Sequence, residues 1–195
     1  MRVILASSSP RRKAILNHLG WNFETISPDI DETQHDGETP AALVRRLAML
    51  KGQSVSKKLS GKALIVAADT VVSLNGRIYG KPGNNDDALS MLRSLSGHTH
   101  TVYSSVALLM QNKILCDYDK ADVTFRNLDE DTLKAYIATG EPLGKAGAYA
   151  VQGRGGLLVK ELKGDYTTIV GLPVILLCNM LLQLGFSLSN LMEVS

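Results

Sequence analysis

Asp69 stands in the apolar run Ala63-Leu64-Ile65-Val66-Ala67-Ala68-Asp69-Thr70-Val71-Val72, where a charge is out of place. A carboxylate in a strand buried on both faces is costly unless cations, donors or a metal compensate it. Capping a following helix or turn is the blander role, but Thr70-Val71-Val72-Ser73-Leu74 continues as β-prone sequence with no helix to cap. Asp69 is therefore expected at an open cleft or among dedicated partners, where a carboxylate can take a proton from water.

Several cations are equally misplaced. Arg11 and Arg12 follow Ser7-Ser8-Ser9-Pro10 and fall in the first turn of a helix, where positive charge opposes the helix dipole. An anion bound at that turn removes the conflict, and forked guanidinium donors suit phosphate. Lys51 lies in the apolar stripe Val44, Leu47, Ala48 and Val55 of another helix, so it faces inward unless it snorkels. Lys81 is held between Gly80 and Pro82, and Lys145 opens a glycine-rich stretch. That stretch lacks the Gly-Lys-Ser/Thr of a Walker A loop, but it carries Gln152, whose amide can both donate and accept at a base edge.

Glu32 sits with Asp29 and Asp31 in the acidic loop 28–38. Such a cluster can hold Mg²⁺, although acidic loops are commonly just solvated. Cations gathered around a buried Asp, with Glu32 as second carboxylate and no cysteine–histidine cluster, suit a polyphosphate substrate with Mg²⁺.

The elements that must position these residues follow from local signals. A short strand over 2–6 enters the serine turn and a helix closed by Gly20. A second strand spans 21–27, and Thr39-Pro40 opens the Lys51 helix. Asn75-Gly76 marks a tight hairpin with a return strand at 77–79. A helix over 85–95, strands over 100–110 and 113–125, and a helix capped by Asp129 come next. Strands 157–162 and 166–170 are expected to pair around Gly164-Asp165. A last helix, buried on most sides, opens at Gly171-Leu172-Pro173, and residues 186–195 read as a loosely held tail. His98 and His100 read as surface histidines, since no third ligand lies near enough for zinc. The alternation predicts one α/β domain over 1–195 with a mixed sheet and two lobes around a cleft.

Composition narrows the function classes. A net charge of +2 over 195 residues, with a pI of about 8.5, argues against a chain whose main task is gripping nucleic acid. Cys116 and Cys178 share no metal spacing and read as buried free thiols in a reducing compartment. The start of the sequence is too short in apolar residues for a signal peptide, and 174–184 is too short to span a bilayer. A cytoplasmic setting is expected.

Five ordered motifs carry a resemblance: Leu5-Ala6-Ser7-Ser8-Ser9-Pro10-Arg11-Arg12, Ala67-Ala68-Asp69-Thr70, Gly80-Lys81-Pro82, Lys145-Ala146-Gly147-Ala148-Tyr149 with Gln152-Gly153, and Val170-Gly171-Leu172-Pro173. Over nearly its whole length the chain resembles the Maf family of nucleoside triphosphate pyrophosphatases. The resemblance implies an elongated mixed-sheet fold similar to the inosine triphosphate pyrophosphatases, and hydrolysis of a nucleoside triphosphate between its α and β phosphates. It implies Asp69 as proton acceptor, and Arg12, Thr70 and Gln152 as positions of substrate choice. Ser7, Glu32, Lys51 and Lys81 match positions that bind phosphate or metal, with Glu32 and Asp69 sharing Mg²⁺ or Mn²⁺. The Lys145–Tyr149 motif followed by Gln152 looks like the branch acting on dTTP and UTP, and a homodimer is what the family suggests. Gly144 departs from the acidic residue more usual before the lysine. Two other readings stand beside this: a pyrophosphatase for 7-methyl-GTP or other modified nucleotides, and a nucleic-acid-associated regulator of cell division or septum formation. The small charge and the lack of base-stacking aromatics weigh against the last.

Overall fold

The computed structural model describes residues 2–192. In chain order the elements are β1 (Val3–Ala6), α1 (Pro10–His18), β2 (Glu24–Thr25), α2 (Pro40–Ser56), β3 (Leu64–Leu74), β4 (Arg77–Tyr79) and α3 (Asn85–Leu95). They continue with β5 (Thr99–Met110), β6 (Lys113–Phe125), α4 (Glu130–Ala138), β7 (Val159–Lys163), α5 (Tyr166–Val170), α6 (Val174–Gln183) and α7 (Leu188–Met192). Short 3₁₀ turns lie at Ala146–Ala148 and Arg154–Leu158.

Local chemistry fixes the element starts. Thr39, Asn84 and Asp129 each accept a backbone N–H three residues on, at 3.2, 2.9 and 2.8 Å, and so cap α2, α3 and α4. Asn75 and Gly76 both take positive φ, 52° and 82°, as the tight β3–β4 hairpin requires.

The sheet order is β2-β1-β3-β5-β6-β7, with β4 also on β3. β1 runs parallel to β2 and β3, and the other pairings are antiparallel. On one side of β3 the partner β1 stops at the pair Ala6↔Ala67, and β4 begins at Tyr79↔Val72. Between them, residues 68–71 have no strand partner on that side among the described residues. On the other side Asp69 and Thr70 pair with Ser105 and Ser104 of β5. The sheet thus opens at the one charged residue of its central strand.

The opening separates two lobes. One packs α1 and α6 on β1 and the first half of β3, with Leu16, Val66, Leu177 and Leu181 in its core, while α2 covers the opposite face through Ala48 and Val55. The other gathers Leu92, Leu95, Phe125, Leu133 and Tyr149 around the far ends of β3, β5 and β6. The β5–β6 hairpin runs through both. The mixed α/β sheet with two lobes around a cleft is the architecture the sequence predicts.

Six local expectations are corrected. Residues 166–170 form helix α5 and not a strand, because Asp165 Oδ1 accepts the Thr167 N–H at 2.7 Å and caps a helical turn. The strand expected over 21–27 shrinks to Glu24–Thr25, since Trp21 turns into the core and its indole N–H donates to the Leu191 carbonyl at 3.2 Å. That bond also meets part of the expected loose tail, where α7 forms; residues 193–195 lie outside the described residues. His100 is buried to 1% exposure, not on the surface as His98 is. α6 buries Leu177, Met180 and Leu181 but exposes Ile175 and Leu182, so it is covered on one face only. Cys116 and Cys178 are free but half-buried. No helix among the described residues is long and apolar enough to cross a membrane.

Candidate active site

Strand alternation sends the side chains of Asp69 and Thr70 to opposite faces of the sheet, and the gap in the sheet makes both reachable. On the α2 face, Asp69 Oδ1 accepts from Lys51 Nζ at 2.6 Å. The same ammonium lies 2.7 Å from Glu32 Oε1, and Glu32 Oε2 accepts from Lys81 Nζ at 3.0 Å. Lys51 is 5% exposed, so the lysine in the apolar stripe does face inward, as its spacing predicts. It pairs there with two carboxylates, which offsets the cost of burying it.

These groups perturb one another. Burial pushes the Asp69 carboxyl above its ordinary value, with Lys51 and Arg12 opposing the rise. Burial also acts upward on Glu32, but the hydrogen bonds and charges of Lys51 and Lys81 outweigh it and hold that group down at about 2. Two neighbouring carboxylates are thereby pushed apart, the buried one toward stronger basicity.

On the other face, Arg12 is tied into the protein. Its Nε donates to the Gly171 carbonyl at 2.8 Å, Nη1 to Ser7 Oγ at 3.3 Å and Nη2 to Thr70 Oγ1 at 3.2 Å. Burial lowers the Arg12 pKa, countered by Asp69 and Glu32. Ser7 Oγ also accepts the Ser9 N–H at 3.1 Å and shapes the turn into α1. The helix has no side-chain cap and no acidic residue in its first turn, which leaves its N–H groups open to an anion.

Ser7, Arg11, Arg12, Glu32, Lys51, Asp69, Thr70 and Lys81 line one cleft of about 310 Å³, together with Lys145. Gln152 is not among them. It lines a smaller pocket of about 20 Å³ with Tyr149, Val102 and Ile169, which shares Arg11, Thr70 and Ala146 with the cleft. The cleft can hold a chain of phosphates, and Arg11, Thr70 and Ala146 stand between it and the small pocket. Arg11 Nε is buried between the two with no hydrogen-bond partner among the described residues.

The Maf-like protein family matches residues 2–184. The chain belongs to that family. A protein of Pelotomaculum thermopropionicum called dTTP/UTP pyrophosphatase is 47% identical over 187 residues, 95% of this chain and 97% of its own length. Proteins of the same name from Dictyoglomus thermophilum and Bacillus cereus are 44% and 41% identical, over 95% and 97% of this chain and 97% and 98% of theirs. In fold, the Maf chain is similar to Ham1 proteins of Staphylococcus aureus and Coxiella burnetii, at TM-scores of 0.51 and 0.52. Those likenesses carry 13% and 14% identity and cover 94% of this chain and 99% of each structure.

In this Maf chain Glu32 and Asp69 fit a divalent cation that arrives with phosphate oxygens and water, as Mg²⁺ does with one or two carboxylates. They do not make an all-protein cage, because among the described residues no three His, Cys, Asp or Glu converge on one point.

Sequence reasoning missed the groups behind the site. Ser104 and Ser105 are fully buried in β5 beside Thr70 and Asp69. Ser105 donates to the Val44 carbonyl of α2. The signal was available, since two hydroxyls interrupt the apolar strand just as Asp69 does. Glu141 accepts from the Arg154 and Gly155 N–H groups at 2.9 and 2.8 Å and from the Tyr136 hydroxyl at 2.8 Å, clamping the loop that carries Gln152. His100 Nε2 pairs with the Tyr149 hydroxyl at 2.9 Å behind the small pocket. Gly147, at φ 67°, lies against Val72, where an added Cβ would come within 2.8 Å.

Proposed function

We propose that this Maf chain is a nucleoside triphosphate pyrophosphatase that hydrolyses dTTP and UTP to the monophosphate and pyrophosphate. The observation that carries it is a buried carboxylate, Asp69, at an opening in the central sheet with phosphate-binding cations on both sides. Three relatives of that name, 41–47% identical along nearly the whole chain, support the substrate class.

Asp69 takes the proton of the attacking water; its Oδ1 is held by Lys51, leaving Oδ2 for the proton. The water oxygen bonds to the α-phosphorus, the bond from that phosphorus to the α–β bridging oxygen breaks, and pyrophosphate leaves with the bond's electron pair. Ser7, Arg11, Lys81 and the open N–H groups of α1 receive the phosphate charge. Glu32 and Asp69 would hold Mg²⁺ or Mn²⁺. When bound, such an ion neutralises phosphate charge and orients the leaving group. Thr70 and Gln152 face the base, and Arg12 fixes Thr70.

The test is relative kcat/KM on dTTP, UTP, CTP and 7-methyl-GTP with Mg²⁺ or Mn²⁺, following pyrophosphate. dTTP and UTP are expected to lead. Asp69→Asn is expected to lower turnover about 10²–10⁴-fold with the circular dichroism unchanged. Preference for 7-methyl-GTP moves the substrate to the sister class, and undiminished turnover by Asp69→Asn removes the base from Asp69.

A further inference from the structure

Gln152 is exposed, and a free amide can turn end for end, exchanging its donor and acceptor. It therefore serves the edge of uracil and of cytosine alike. Telling them apart needs a group whose hydrogen-bond polarity is fixed.

Thr70 shares the small pocket with Gln152, and the groups behind it fix its polarity. Ser104 is fully buried and has a single hydroxyl proton, which the Thr168 carbonyl accepts at 2.7 Å. Toward Thr70 Oγ1, 2.8 Å away, Ser104 Oγ can then only accept. Thr70 donates its own proton inward. Its other protein acceptor, the Gly171 carbonyl at 3.4 Å, also belongs to the interior. Arg12 Nη2 donates to Thr70 Oγ1 and occupies one of its two lone pairs. What remains for the pocket is one lone pair and no proton.

We propose that Ser104 is a positioning residue for base selection: by taking the Thr70 proton it makes Thr70 face the nucleobase as an acceptor. Uracil and thymine, whose N3 carries a proton, are matched; cytosine, whose N3 is a bare acceptor, meets a second acceptor. This rests on the reading of the chain as a pyrimidine nucleotide pyrophosphatase and explains what Gln152 alone does not.

The experiment measures kcat/KM for UTP and CTP in the wild type, Ser104→Ala and Ser104→Cys. Without the serine oxygen, the Thr70 proton keeps only the longer contact to Gly171 and can turn to the base. The UTP to CTP ratio is expected to fall about tenfold in Ser104→Ala, the size of one hydrogen-bond mismatch relieved. Ser104→Cys, with a weaker acceptor, is expected to fall between. A ratio unchanged in the variants, with the wild type active on UTP, overturns the proposal and leaves the activity standing. A wild type that releases pyrophosphate from no nucleotide overturns the activity itself. Should the variants not fold, the wild type on 4-thio-UTP decides: this analogue keeps the N3 proton and is expected to be used within a few-fold of UTP. Rejection as strong as that of CTP would show that O4, not N3, is read.

Discussion

Lys51 of α2 pairs with buried Asp69 at 2.6 Å and with exposed Glu32 at 2.7 Å, and a buried ion pair of this kind is poor material for stability. Apolar residues of similar volume commonly do as well or better in that position. The cluster is better understood through the cleft, where burial raises the Asp69 carboxyl while the lysines hold Glu32 down. His100 is a second buried titratable group with a different consequence. Burial pushes its pKa from 6.5 to about 4, with Asp122 opposing, so it stays neutral against Phe125 and Tyr149. Its folded pKa is depressed, so between about 6.5 and 4 the unfolded chain binds a proton that the folded chain does not. Stability should therefore fall as pH drops through that window, by on the order of 3 kcal/mol from this one group, and then level off. Urea unfolding at pH 7, 6 and 5 checks this, and His100→Gln should flatten that part of the dependence. An equal slope in the variant would assign it to carboxylates instead.

At the scale of elements, the site depends on where strands stop. α2, α3 and the Asn75-Gly76 hairpin were legible in the sequence because caps and turn residues act within a few positions. Lys51 and Asp69 were legible for a related reason: a charge in an apolar pattern is visible without a structure. The misread parts answer to distant partners. Residues 166–170 are β-prone by composition, yet Asp165 starts a helix there and Gly171 ends it at φ 120°. His100 looked exposed because nothing local announces the Tyr149 hydroxyl waiting beneath it. The end of α5 also meets Thr70 and Arg12. A Cβ on Gly171 would stand 3.2 Å from Thr70 Oγ1, and the Gly171 carbonyl holds Arg12. Gly171→Ala is expected to cost about 1–2 kcal/mol in backbone strain, a fall in Tm of roughly 2–8 °C, and to lower UTP turnover as well. Gly140→Ala is the control, since Gly140 also has positive φ, 72°, but open space around it. It should lose stability without losing turnover. Equal turnover in both variants would separate Thr70 from the site.

Across the whole molecule, two lobes share a sheet that opens at one point, and the cations of the cleft come from both sides of the opening. Ser7 and Arg12 stand on the β1–α1 side, Lys81 and Lys145 on the side of β4 and the glycine-rich loop, and the small pocket lies across Thr70 from Asp69. On the proposed reading, a triphosphate whose base lies over Thr70 brings its α-phosphorus, not its β, nearest to Asp69. The central claim is water attack at that α-phosphorus. Hydrolysis of UTP in oxygen-18 water, with mass spectrometry of both products, tests it directly. The account predicts the heavy oxygen in UMP and none in pyrophosphate; label in pyrophosphate would mean attack at the β-phosphorus and contradict it.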